Sequence, residues 1–249
     1  MVKKCSNIRN KKKRLLTFFY LVIISLIFVI YIPLKTQASS PNEFPEQLPP
    51  LAIHPLPERL KNWQDVTESG DYFPQIKPPQ FGQLIWSNFP IKVFIESPKK
   101  TNLSEEWVRL VSSGVQEWEA YLPLEIVAKE EDADIKIYRQ NPPLKPGERA
   151  RSAETRYEIY IHQEGTQETL SHRFTIYLSP TQVGKYVASA SRHELGHALG
   201  IWGHSPVETD VMYFSQIRNP ISISPRDINT LKRVYQQPTR LGWTINNKL

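Results

Sequence analysis

The sequence predicts an α+β domain: a sheet of about five strands, an amphipathic helix after the first strand, a helix carrying a histidine motif, and a last helix near the C terminus. Three observations point there. Strand periodicity and helical periodicity alternate in that order beyond residue 84, helix-start signals stand at the matching places, and "SRHELGHALGIWGHSPVETDVMYF" at 191–214 sets three histidines along one turn-rich stretch. With 249 residues and 40% hydrophobic composition, the chain has material for one sizeable core.

The first strand is read in "LIWSNFPIKVFIE", where Ile91, Val93 and Ile95 alternate with Lys92, Phe94 and Glu96. An amphipathic helix follows in "LSEEWVRLVSSGVQEWEAYL", with Ser104 as N-cap, Glu105 and Glu106 in the first turn, and Trp107, Leu110, Val111, Trp118 and Leu122 on a core face. Four further strands are expected at 123–128, 133–139, 155–162 and 172–179, with the turn-rich "NPPLKPGERARSAE" as a loop between the second and third of these. Ser179, Pro180 and Gln182 supply a cap, a first-turn proline and a capping partner for the motif helix, whose apolar stripe would start at Val183, Val187 and Ala190. Ser224, Pro225 and Asp227 cap the last helix, which has Ile228, Leu231, Val234 and Tyr235 on its core face.

The formal charge of +6 is located at one end. Residues 1–38 hold eight of the 31 cationic residues and none of the 25 acidic ones, so the rest of the chain is near neutral, at −2. No nucleic-acid partner is expected for the folded domain. Within that basic segment, residues 15–34 are apolar apart from Thr17 and Ser25, which is the length of a bilayer span. Residues 1–38 therefore read as a signal peptide, with 36–38 as a small-residue cleavage site, or as an uncleaved N-terminal membrane anchor. Either way the remainder is expected outside the cytoplasm, anchored to the membrane or secreted, and most simply as a monomer. The single cysteine, Cys5, precedes the apolar run, so the exported part has neither disulfide nor thiol ligand. Residues 39–83 are rich in proline at their start and read as a linker or a short propeptide, with His54 a solvated linker residue.

The chemistry is concentrated in 191–214. His193 and His197, at i and i+4, project from one side of a helix and can share one zinc ion. Glu194 points toward the same cleft and suits a general base that moves a proton from water to a departing amine. Gly200 can end the helix at positive φ and return the chain so that His204 becomes a third ligand. Glu208 or Asp210 is the alternative for that third position.

Residues 193–212 resemble a metzincin metalloprotease, and residues 84–236 as a whole resemble the matrixin branch. That family's pattern is H-E-x-x-H-x-x-G-x-x-H followed by a methionine turn. His193, Glu194, His197 and Gly200 match, whereas Gly203 occupies the last histidine position and His204 follows it. The resemblance places the extra residue in the turn 201–203, where Gly203 is conformationally permissive. It also implies a twisted mixed sheet and a metzincin-like catalytic domain over 84–249, with Met212 as a hydrophobic floor beneath the zinc.

Two departures set further expectations. Matrixins carry additional zinc and calcium in a loop rich in histidine and aspartate, whereas here only His162 and His172 fall in that region, and both read as strand-surface residues. Matrixins are also held latent by a propeptide cysteine, and 39–83 has none. Asp65, Glu68 and Asp71 are the acids there that could reach a metal, and they read as a solvated stretch. The expected function is a zinc-dependent endopeptidase acting on a protein or peptide substrate, with His193, His197 and His204 as ligands and Glu194 as base. The substrate would lie along an edge strand such as 155–162, and "YFSQIRNPIS" would line the pocket beyond the cut. The alternative is an extracytoplasmic binding module that keeps zinc for stability alone.

Overall fold

The computed structural model describes residues 48–97, 102–144, 147, 150–217, 219 and 221–245, except for the side chains of 102–104, and all of these belong to the unit Phe44–Leu249. The predicted N-terminal membrane segment lies outside the described residues. Among those described, no helix is long and apolar enough to cross a membrane.

Five strands form one mixed sheet: β1 (Ile91–Ile95), β2 (Leu124–Val127), β3 (Ile135–Tyr138), β4 (Ala153–Glu164) and β5 (Gln167–Leu178), in the order β2-β1-β3-β5-β4. β1 runs parallel to β2 and β3, β3 is parallel to β5, and β4 returns antiparallel to β5 at the edge. The alternation read in the first strand is realised, since Ile91, Val93 and Ile95 are buried while Lys92 is exposed. Leu84, Ile85 and Trp86, included in that same run, are buried without joining the sheet.

Among the described residues, four α-helices accompany the sheet: α1 (Glu58–Asn62), α2 (Asn102–Glu119), α3 (Lys185–Ala198) and α4 (Pro225–Tyr235). α2 begins two residues before the Ser104 expected as its cap, and both of its tryptophans, Trp107 and Trp118, are buried as a core face requires. It crosses α3 closely. A Cβ on Gly114 would stand 2.2 Å from Ser191 Oγ, and Trp118 Nε1 donates to Arg192 O at 2.8 Å, so a small residue and an indole N–H fix the crossing. α4 has the predicted capping box, with Ser224 and Asp227 bonding reciprocally, and its expected core residues are buried.

α3 starts later than its sequence signals suggest. Ser179 does not cap it: the hydroxyl donates to Asn141 Oδ1 at 2.6 Å, Gln182 N closes a turn on Ser179 O, and the N-cap is Gly184 at φ 55°. Val183, placed on the stripe by periodicity, is outside the helix and exposed.

Residues 48–83 are not a solvated spacer. Leu60, Tyr72, Ile76 and Phe81 belong to the same buried cluster as the sheet and helices. Ala52 pairs with Thr239, Lys77 N donates to Trp202 O at 3.1 Å, and Asn229 and Arg226 of α4 donate to the carbonyls of Gly70 and Ser69. His54 is likewise engaged, stacked on Trp243 with its Nε2 at 2.8 Å from Leu241 O. Prolines remove backbone donors and strand periodicity from this stretch, so its packing relies on single side chains spaced irregularly.

His172 also departs from expectation. It lies inside the sheet's packing, stacked on Trp86 at 4.0 Å and edge-on to Phe174, with no hydrogen-bond partner for Nε2. Burial alone lowers its pKa to about 3, so it is neutral in the fold. His162 is exposed on β4.

Candidate metal centre

One turn of α3 brings His193 and His197 together, with ring centroids 4.8 Å apart. The helix then stops at Gly200, whose φ of 129° excludes other residues without strain. Ile201 N reaches back to Gly196 O at 2.9 Å, and the chain returns through Trp202 and Gly203 to His204. His204 stands 5.3 Å from His193 and 4.9 Å from His197, ring to ring. One nitrogen from each histidine falls within 4.8 Å of the others, close enough to hold a metal ion.

The glycine at position 203 has a physical reason that the sequence did not reveal. Gly203 does not adopt a positive φ; instead the backbone of Gln75 and Ile76 passes directly against it, and a Cβ there would meet Gln75 O at 2.4 Å. Its smallness serves close approach, not conformational freedom. The loop that presents His204 is thereby seated on the N-terminal segment.

Two of the three imidazoles have their tautomer set by backbone carbonyls. His193 Nδ1–H donates to Val211 O and His197 Nδ1–H to Ile201 O, each at 2.8 Å, which leaves Nε2 with a lone pair. Desolvation lowers the pKa of all three, although His204 remains partly exposed. His197 is pushed well below its ordinary value by burial and then by its two histidine neighbours, His204 falls to about 4 through burial and His193, and for His193 burial outweighs the Val211 bond. Neutral imidazoles with free Nε2 atoms are what a metal such as zinc requires of its ligands, so the residues fit the group.

Glu194 is buried, and Oε2 accepts from Thr155 Oγ at 2.6 Å. Burial raises its pKa to about 7, the Thr155 bond opposes that rise, and Glu154 adds to it. Met212 is fully buried with its sulfur against Gly196 of the motif helix, where a Cβ would come within 2.3 Å of Sδ. The methionine's own backbone is held from elsewhere: Asp227 accepts from Val211 N at 2.9 Å, Met212 N at 3.3 Å, Ser224 N at 2.8 Å and the Tyr72 hydroxyl at 2.6 Å. Since Val211 O is the acceptor for His193, a chain of bonds runs from Tyr72 through Asp227 to a histidine of the cluster.

Neither acid offered as an alternative third ligand joins the histidine cluster, although Asp210 lines the same cleft. Asp210 is buried and takes bonds from Ser205 and from Ser224 Oγ at 2.8 Å, with Arg226 Nε at 3.0 Å, while Glu208 is exposed and outside the cluster. Asp65 and Asp71 bond to Thr67 and Arg233. His193, Glu194, His197 and His204 line a cleft of about 830 Å³ together with Ala153, Glu154 and Thr155 of β4. Tyr213, Phe214, Ser215, Gln216, Ile217 and Ile221 line it too, as does Lys77. Four contributors were invisible to pattern reading: Thr155 read only as a strand residue, Asp227 only as a cap, Tyr72 as linker, and Gly196 as a motif filler.

The fold and cluster define a class: an α+β protein with a mixed five-stranded sheet and three histidines that could hold a metal. No known family model matches the chain, and no curated protein aligns with it.

Proposed function

We propose that this protein is a zinc-dependent endopeptidase of metzincin type, exported by its N-terminal segment and acting on protein or peptide substrates as a monomer. The observation that supports it best is the placement of Glu194, a buried carboxylate that no stabilising metal would need, in the same cleft as the three histidines. His193, His197 and His204 would hold the zinc, which would supply Lewis acidity toward a peptide carbonyl and a water molecule.

The chain's own groups do the rest. β4 is the edge strand that borders the cleft, and its residues 153–155 can pair with an extended peptide through the backbone. Glu194 accepts one proton of the water as its oxygen bonds to the carbonyl carbon, and returns that proton to the amine nitrogen as the C–N bond breaks, giving a carboxylic acid and an amine. Tyr213, Phe214 and Ile217 form the wall for the side chain that follows the cut. Exposed Phe214 gives that wall an apolar rim.

Peptide cleavage by the full chain, measured with and without a chelator, tests the reading. Glu194→Gln is expected to keep its zinc while losing at least about 100-fold in turnover, within the usual contribution of a general base. Zinc retained with no chelator-sensitive cleavage in the wild type would favour the alternative, a zinc-stabilised binding module.

A further inference from the structure

α3 carries three groups of the proposed site, and each is held by something outside the helix. His193 is fixed by the carbonyl of Val211 and His197 by that of Ile201. For Glu194 the holder is Thr155, on β4, 39 residues earlier in the chain. Thr155 pairs with Ile176 across the sheet edge and is itself buried, so its hydroxyl meets little competition from water.

The hydroxyl has one proton and two acceptors within reach, Oε2 of Glu194 at 2.6 Å and the backbone oxygen of the same residue at 3.0 Å. Two oxygens 2.6 Å apart repel unless a proton lies between them, and with Glu194 ionised Thr155 supplies it. A hydroxyl-to-carboxylate bond of this length is of the charge-assisted kind. The other oxygen, Oε1, has no hydrogen-bond partner among the described residues and is reached by solvent, and Glu194 lines the cleft.

We infer that Thr155 is a positioning residue for Glu194: by holding Oε2 against the sheet, it leaves Oε1 as the oxygen that takes a proton from water and passes it to the amine. This rests on the endopeptidase reading. A carboxylate without that tether has two equivalent oxygens and a side chain free to turn, so fewer of its conformers face the substrate.

The test compares Thr155→Val, which keeps the β-branched shape and removes the hydroxyl, with Thr155→Ser, which keeps the hydroxyl, in the zinc-loaded full chain in detergent. Thr155→Val is expected to lose about 10- to 100-fold in kcat, with KM for a peptide and zinc affinity by competition titration both within about two-fold of wild type. Thr155→Ser should recover most of that loss. An independent readout needs no turnover: the infrared carboxylate band that disappears in Glu194→Gln should shift in Thr155→Val and stay in place in Thr155→Ser. A wild-type chain that cleaves peptide, beside a Thr155→Val variant of equal kcat or one failing through KM or zinc loss, overturns the inference alone. An unshifted band does the same. A wild-type chain that cleaves nothing overturns the endopeptidase reading, and the positioning role with it.

Discussion

Trimming the chain to begin at Gln83 is expected to destroy the domain rather than activate it. The four side chains Leu60, Tyr72, Ile76 and Phe81 are each less than one-tenth exposed. At roughly 1.5–3 kcal/mol for each large side chain removed from water, they contribute on the order of 6–12 kcal/mol. A whole domain is stable by only about 5–15 kcal/mol, so their loss alone is of the size of the total. The cut also removes the Tyr72 hydroxyl from Asp227, the Lys77 bond from Trp202 O, and the backbone that seats Gly203. The assay compares proteins beginning at Ser39 and at Gln83 by thermal melting, zinc content and cleavage of one peptide. The shorter protein should show no cooperative melt, little zinc and no activity. Because a protein that fails to fold says little about the site, Tyr72→Phe supplies the milder test. It removes one of four donors from a buried carboxylate and should cost about 1–2 kcal/mol, or roughly 2–8 °C in Tm, with His193 less firmly placed. A Gln83-start protein that melts as the longer one does and binds zinc equally well would refute the packing argument.

Gly203→Ala should lower stability by about 1–3 kcal/mol and weaken zinc binding, because its methyl meets Gln75 backbone 2.4 Å away; unchanged zinc affinity and Tm would show that the loop yields easily. His172 makes stability depend on pH. Its folded pKa of about 3 lies below the unfolded value of 6.5, so the unfolded state binds the extra proton, and the contribution present above pH 6.5 is lost as pH falls toward 3. At pH 5 the loss is about 2 kcal/mol, and a His172→Leu variant should lose that much less between pH 7 and pH 5 in urea unfolding; parallel curves would count against it. Zinc removal by chelator should lower Tm reversibly, and His204→Ala should weaken zinc binding while Asp210→Ala acts mainly on stability. The reverse pattern would move the third ligand to the acid.

Much of the architecture follows from local order. The spacing of His193 and His197 puts both on one side of α3 whatever else the chain does, since a helix repeats every 3.6 residues. The Ser224 and Asp227 cap is equally local, and the alternation in β1 needs only the two-residue repeat of a strand. Where elements were misjudged, a distant contact had overridden a nearby signal: Ser179 offers a capping hydroxyl, yet Asn141 takes it, and α3 opens at Gly184.

The sequence by itself determined the strand and helix order beyond residue 84, the motif helix, and the pairing of His193 with His197, because each of those depends on neighbours within a turn or two, whereas the short helix α1 and the choice of His204 over Glu208 or Asp210 were not settled by it. Tertiary structure decided how they are held. Thr155 reaches Glu194 across 39 residues and Tyr72 reaches Asp227 across 155. The Gln75 backbone gives Gly203 its reason, and Trp86 turns a strand histidine into a buried one. Contacts of that kind come from chain closure and close packing, which leave no periodic trace along the sequence.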